Sequence, residues 1–305
     1  MDIILHHYPQ SPISEKVRVV YGLKNLAWRS VQIPRIPPKP ELMPLTGGYR
    51  RTPVMQIGAD VYCDSQCIIR EIEHRYPLPT LFPGGSAGIP WGVAQWIDGP
   101  LFDAAITVVL GHQAELLPAD FAADRGRLYF GPNYDLDEIQ RAVPHALAQL
   151  RAQLGWIEER LRGGWPFLLG SDPGLPDALC FYLTWFVQGR YNEAEAFLSQ
   201  FPRLLQWYAR VADIGHGSPT DMTASEALNI AAASSPADGT GIDPADPQAL
   251  AAGQRVTVDP DGDGGDPEVS GELVTLNNEE IAIRREESSV GEIVVHFPRV
   301  GYRVR

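Results

Sequence analysis

Residues 51–72 read RTPVMQIGADVYCDSQCIIREI, and the order of signals within them decides the first third of the chain. Val54-Met55-Gln56-Ile57 is a short apolar strand, Gly58-Ala59-Asp60 supplies a turn, and Val61-Tyr62-Cys63 returns as a second strand, so the three pieces predict a hairpin. Asp64–Ser65 then opens a helix running to about Tyr76, because carboxylates and hydroxyls cap the unpaired N–H groups of a first turn. Pro53 stands immediately before the hairpin. It has no N–H to give a ladder, and cis peptides are nearly confined to X–Pro bonds, so Thr52–Pro53 is a candidate cis site. A cis bond there turns the Thr52 N–H and C=O outward, toward a peptide-like ligand.

Working back toward the N-terminus, Ile3-Ile4-Leu5 is a strand ending at His6–His7–Tyr8, and PQSP makes a turn. Residues 14–23 place apolar side chains at helical spacing and close near Lys24–Asn25, and Trp28 to Ile33 reads as a second strand. Prolines 34, 37, 38 and 40 follow in a loop. The order βαβ, loop, ββα is the thioredoxin-like arrangement. Its first turn here is Ser11-Pro12-Ile13-Ser14, where a redox protein of that fold carries Cys-x-x-Cys. Along the first strand His6 and His7 alternate, so one is expected to pack and the other to be exposed.

From Pro90 to about Asp213 the pattern is helical throughout, with a long amphipathic stretch over residues 136–161. Residues 177–188 are apolar on nearly every face and are placed at the centre of the bundle. Gly174-Leu175-Pro176-Asp177 marks the entrance of that helix, with a proline early and a carboxylate in the first turn. Residues 218–233 are expected to form one further helix capped by Thr220 or Asp221, and 234–253, rich in Ala, Pro, Asp and Gly, a linker. From Gln254 five alternating runs predict five short strands, which suggests a small SH3-like β-barrel. The expected organisation is a thioredoxin-like α/β domain (1–85), an all-helical domain (86–215), a helix and linker (216–253) and a small all-β domain (254–305).

The net charge of −13 is unevenly spread: +3 over residues 1–85, −6 over 86–215 and −10 over 216–305. So acidic a chain lacks the cationic face that nucleic acid requires, while a mildly basic first domain suits a small anionic ligand. Three cysteines (Cys63, Cys67, Cys180) do not make a disulfide scaffold, no metal set is indicated, and a reducing cytoplasm is expected. No apolar run approaches the ~20 residues of a membrane span, and MDIILHHYPQSP lacks the marks of a signal peptide.

Three pieces in order, Ser-Pro-x-Ser-x-Lys-Val-Arg (11–18), Thr-Pro-Val-Met-Gln (52–56) and Asp-Ser-Gln-Cys-Ile-Ile-Arg-Glu-Ile (64–72), followed by a helical domain, resemble the glutathione transferase superfamily over about residues 1–215. The resemblance implies glutathione as co-substrate. Ser11 steadies its thiolate, Thr52 before Pro53 pairs with the cysteinyl backbone, and Asp64–Ser65 hold the γ-glutamyl end. Arg51, with Arg35 and Lys39 as weaker candidates, meets the glycyl carboxylate. It also implies a homodimer, attack on a small, apolar electrophile, and a role in detoxification. Ser14 and Tyr8 are the alternative donors to sulfur. Ser11, Ser14 and Asp64–Ser65 also have a plain role as helix caps. The rival function is a non-catalytic module of the same fold that recruits a partner through its C-terminal barrel; a glutathione-dependent peroxidase or reductase is a third.

Departures from the family pattern matter. Ser stands at the nucleophile position where disulfide-exchanging members carry Cys, and Gly174 replaces the usual Ser cap of the central helix. Asp259-Pro260-Asp261-Gly262-Asp263-Gly264 resembles the start of a calcium loop, but its twelfth position is Ser270, so it is read as a solvated acidic loop. Trp96 and Phe102 are candidates to line an apolar co-substrate pocket, with core packing as the alternative.

Overall fold

The computed structural model describes residues 2–113, 116–262 and 264–305. The chain forms two compact units: one of residues up to Val17, Ala27–Arg75 and Ser218 onward, the other of Arg18–Leu26 and Tyr76–Gly217. The elements of the first third are β1 (Ile4–His7), α1 (Pro12–Leu23), β2 (Ala27–Gln32), α2 (Met43–Thr46), β3 (Val54–Ile57), β4 (Asp60–Cys63) and α3 (Ser65–Arg75). Strand β1 is flanked by β2 in parallel and β3 in antiparallel register. Both its faces are covered, so the alternation expected of His6 and His7 fails and both are buried. The His6 Nε2 lies 3.0 Å from Gln56 Oε1 and the His7 Nε2 3.1 Å from Ser30 Oγ. Burial lowers the His6 pKa to about 4, against the opposing hydrogen bond to Gln56, so the ring is neutral.

The second unit contains α4 (Gly88–Trp96), α5 (Phe102–Gln113), α6 (Ala119–Phe130), α7 (Leu136–Leu161), α8 (Leu175–Gln188), α9 (Ala194–Leu198) and α10 (Pro202–Ala212). Helix α8 is the hub, touching α4, α5, α9 and α10, as its all-round apolarity requires. Contrary to the sequence expectation, Gly88–Gln113 is long and apolar enough to span a membrane by composition. The run is broken at Gly99 (φ −106°, ψ −110°) beside Pro100, and more than half of its most apolar window is buried. Phe102 packs in the core against Tyr129, Tyr182 and Phe186, and Trp96 donates to Gln153 at 2.7 Å.

At the head of α8, the fully buried Asp177 accepts from Leu168 N and Trp207 Nε1 on one oxygen and from Gly174 N on the other, at 2.7–3.0 Å. Burial of this carboxylate is tolerated because its lone pairs are answered. Gly174 has a steric reason. A Cβ there would stand 2.7 Å from Leu81 O and 2.8 Å from Pro83 Cδ, so the expected serine cap has no room.

The chain then returns to the first unit. Residues 218–221 form a strand, β5 (Ser218–Asp221), parallel to β2, where a helix was expected. Pro219 is allowed there because β5 is an edge. Only after it does α11 (Ala224–Ala232) begin, capped by Thr223 in a reciprocal box with Glu226. Gln56 Nε2 donates to Ala227 O and fixes α11 to the sheet. The stretch expected to be a linker is tied down. Ala237 N donates to Asp60, Thr240 to Thr275, and β6 (Gly241–Ile242) pairs in parallel with Thr275 and Leu276.

The five expected strands are present as β7 (Arg255–Pro260), β8 (Val269–Leu276), β9 (Glu280–Glu287), β10 (Gly291–Pro298) and β11 (Tyr302–Val304). They form a C-terminal strand-rich region that is continuous with the first sheet. β10 pairs in parallel with β4, His296 opposite Tyr62, giving the order β11-β7-β8-β9-β10-β4-β3-β1-β2-β5. Val258, Leu273, Val295 and Phe297 share one apolar cluster with Ile4, Val31, Val54 and Val61. Asp259 and Pro260 of the calcium-like motif lie in β7, and Asp259 is held by Arg303 and Arg305. Asp263 lies outside the described residues. Among the described residues no group of three His, Cys, Asp or Glu side chains is placed to hold a metal ion.

The seam between β10 and β4 carries an ion network. His296 stands between Glu280 (2.5 Å from Nδ1) and Asp60 (3.0 Å from Nε2) and stacks on Tyr62 at 4.4 Å. Burial opposes the charge, but the hydrogen bonds to Asp60 and Glu280 outweigh it and raise the His296 pKa to about 9.

These packings generate two expectations. Gly174→Ser, which capping rules alone would favour, is expected to lower stability by about 1–3 kcal/mol; an unchanged or higher melting temperature would show that the Leu81–Pro83 segment yields. For His296, a folded-state pKa above the unfolded value of about 6.5 means a stabilisation complete below that pH and lost as pH rises through about 9. The wild type should therefore lose on the order of 3 kcal/mol relative to His296→Gln between pH 6 and roughly 9.5. Parallel pH profiles of the two proteins in denaturant titrations would refute the charged seam.

Candidate functional site

The registers bring the singled-out segments to one end of the sheet. In the antiparallel β1–β3 pair His6 faces Val54, and in β3–β4 Val54 faces Cys63. The end of β1, the start of β3 and the end of β4 therefore coincide, and with them the turn at Ser11, the Thr52–Pro53 peptide and Asp64–Ser65. Because β10 runs parallel to β4, its own end and the following residues to Tyr302 arrive at the same place.

Ser11 precedes α1, with Pro12 in the first helical position. Its Oγ accepts from Ser14 N at 3.1 Å, which is the bond of an N-cap. The hydroxyl keeps its proton to donate, beside the positive end of the helix dipole. Ser11 is only 2% exposed. Ser14, the alternative donor, has a buried hydroxyl with no hydrogen-bond partner among the described residues. Tyr8 is buried where β1 ends and the turn begins.

At the head of α3, Asp64 takes a left-handed backbone (φ 75°), a conformation unusual for a residue other than glycine and concentrated at functional sites. Its Oδ1 accepts from Gln66 N at 2.8 Å. Ser65 is buried, and its Oγ accepts from Lys16 Nζ at 2.9 Å. Lys16 is itself 2% exposed. A buried ammonium beside a helix N-terminus is a strong setting for a carboxylate. Sequence reasoning placed Lys16 in the motif without a role. The signal was a cation set within the apolar run of α1, next to the buried Val17, Val19 and Val20.

The Thr52–Pro53 peptide is cis, as expected. Lys39 is buried and donates to Arg50 O at 2.8 Å and Thr52 Oγ1 at 2.7 Å, so it braces this loop from within. Arg35 is exposed. Arg51 is engaged by the C-terminal strand region: its Nε and Nη2 both donate to Asp266 Oδ2, at 3.0 and 2.5 Å. Arg50 Nε lies 3.6 Å from the other oxygen. The Asp266 side chain is 2% exposed and that of Arg51 31%. Burial disfavours the Arg51 cation, but Asp266, with Tyr49 and Tyr302, outweighs it and raises the pKa.

Tyr302 adds a second reach from the same region. Its hydroxyl lies 3.2 Å from Asp64 Oδ2 and 3.1 Å from Tyr49 OH. With one proton to give, Tyr302 donates to Asp64 and accepts from Tyr49, a chain that satisfies all three groups. Neither Asp266 nor Tyr302 was a candidate from sequence, because nothing in their spacing ties them to residues more than 200 positions earlier. A cavity of about 290 Å³ is lined by Tyr62, Cys67, Glu71, His74 and Glu280 among others. Burial raises the Cys67 thiol well above its ordinary pKa, so it is no thiolate.

Comparison with known proteins agrees with the fold and its site. Residues 5–80 match the family model of the glutathione S-transferase N-terminal domain, and residues 94–210 that of the C-terminal domain. A comparison with curated protein sequences gives no match. Among solved structures, a GST-like protein from Pseudomonas syringae is 35% identical, with a TM-score of 0.80, over 100% of both chains, the C-terminal strands included. Two others share the fold: glutathione transferase GSTFuA3 from Phanerochaete chrysosporium (18% identity, TM-score 0.58, 70% of this chain and 97% of that one) and FzlA from C. crescentus (23%, 0.52, 69% and 88%). A sheet that gathers Ser11, the cis Thr52–Pro53 peptide and Asp64–Ser65 at one end, a helical unit centred on α8, and these matches together make the chain a member of the glutathione S-transferase superfamily.

Proposed function

We propose that the chain is a glutathione transferase-like enzyme that lowers the pKa of a bound glutathione thiol and directs the thiolate at a small, apolar electrophile. The observation that carries this is the state of Ser11. Its oxygen accepts from Ser14 N, which leaves its proton to donate to a ligand at the head of α1, at the sheet end that holds Thr52 and Asp64–Ser65. The γ-glutamyl end of glutathione fits that end. Its carboxylate suits Ser65, Lys16 and the start of α3, its ammonium suits Asp64, and the cysteinyl backbone suits Thr52. A free thiol, with a pKa near 8.5, is only a few per cent thiolate at neutral pH. A hydroxyl donor and a helix end that lower it by about two units contribute about 3 kcal/mol of differential stabilisation. Ser11 donates to sulfur and is not the attacking atom. A reducing cytoplasm, where Cys63, Cys67 and Cys180 stay as the free thiols they are in the structure, and a homodimer complete the proposal.

One observation favours the rival, a non-catalytic module: Asp266 and Tyr302 already answer Arg51 and Asp64 from within the chain.

Titrating the ultraviolet absorbance of the bound thiolate separates the two. The wild type should show a thiol pKa about two units below the free value, and Ser11→Ala should return it toward about 8.5. Binding with no shift in either protein would leave a binding module without thiolate chemistry.

A further inference from the structure

We infer that the cavity lined by α3 and the start of β9 is a binding site for a small organic compound that carries a primary ammonium group. Its volume is about 290 Å³, near the lower end of the range for small-ligand sites. Tyr62 of β4 with Cys67 and Glu71 of α3 supply one part of the lining, and Glu279 and Glu280 another. All of them belong to the first unit. The cavity shares no residue with the end that holds Ser11, Thr52 and Asp64–Ser65, so the inference does not depend on the glutathione site.

Two of the lining carboxylates are fixed in place by the fold. Glu71 Oε1 accepts from Tyr62 OH at 3.0 Å and from Arg75 Nε. Glu280 Oε1 lies 2.5 Å from His296 Nδ1. Each therefore has one oxygen held and the other left to accept. Their side chains are 19% and 27% exposed, so their charge is only partly screened. The partners do not cancel it. Asp60, Glu71, Glu279 and Glu280 carry four negative charges, against three positive ones on Arg70, Arg75 and protonated His296.

The charge left over calls for a monocation, and the donor set decides which kind. Among the described residues no three side chains are placed to hold a metal ion. A guanidinium prefers both oxygens of one carboxylate, and here one oxygen of each is taken. A primary ammonium spreads its three N–H groups toward single oxygens of separate carboxylates. Cys67 is 6% exposed, lines the cavity and makes no hydrogen bond among the described residues. Burial first, and then negative charge that includes Glu280 and Glu71, keeps its thiol protonated. Its sulfur is a weak acceptor for an N–H, and with the Tyr62 ring it gives a short apolar body a surface to rest on.

The test is an NMR titration of the full chain at about pH 8, following the signals of n-butylamine, n-butanol and butyrate. Butylamine is protonated there, as the lysine side chain is. It should bind about tenfold or more tighter than butanol, with butyrate weakest. Glu71→Gln keeps the shape of the lining and should weaken butylamine by about tenfold while leaving butanol within about twofold. Thr240→Lys places a cation on an exposed residue of the lining and should weaken butylamine by a similar factor. A melting temperature close to that of the wild type shows that each variant is folded. Butylamine binding no tighter than butanol overturns the site. So does binding that survives Thr240→Lys or a folded Glu71→Gln protein, and so does the absence of binding by all three probes.

Discussion

The parallel pairing of β10 with β4 is the constraint on which the rest of the first unit depends. A thioredoxin-like sheet that stopped at β4 would present an open row of N–H and C=O groups there, a template for unwanted association. Here β10 takes that edge and β5 takes the edge at β2. The register of β10 sets His296 between Asp60 and Glu280 and merges the C-terminal apolar side chains with those of the older sheet. It also delivers the chain to Tyr302 beside Asp64. An extension that looks like an appendage in sequence is thus the third wall of the site.

Much of this was legible, and the exceptions have physical causes. The hairpin at 54–63, the helix from Ser65, the hub helix and the five C-terminal runs were readable because period and turn chemistry are local. His6 and His7 misled because alternation reports exposure only on a strand with one open face, and β1 is central. Residues 218–221, Ser-Pro-Thr-Asp, resemble a cap preceding a helix. They become a strand because β2 offers a free edge, which no local pattern records. The pairing of residues 294–296 with β4 was hidden for the same reason: edge pairing is a property of two distant segments.

The candidate site divides along that line. Ser11, Thr52–Pro53 and Asp64–Ser65 stand in short motifs with their own capping and backbone logic, and the sheet brings their ends together. What each meets was not legible. Lys16 reads as an ordinary helix cation until α3 is laid beside α1. Arg51 reads as a cation awaiting a ligand until Asp266 arrives from 215 residues away. The sequence motif defines a ligand's outline, and the non-local partners decide how much charge is left to bind it.

The order of synthesis sets this architecture a problem. Asp60 and His296 are 236 residues apart, and the helical unit is made in between. At about 5–20 residues per second, the bare side of β4 waits on the order of 10–50 seconds on the ribosome before its partner strand exists. Throughout that interval Val61 and its neighbours are without the side chains that bury them in the finished molecule. The nascent chain therefore passes through a long stage in which the helical unit is complete and the older sheet is not. Its yield in the cell then depends on whatever shields β4 until the last fifty residues emerge.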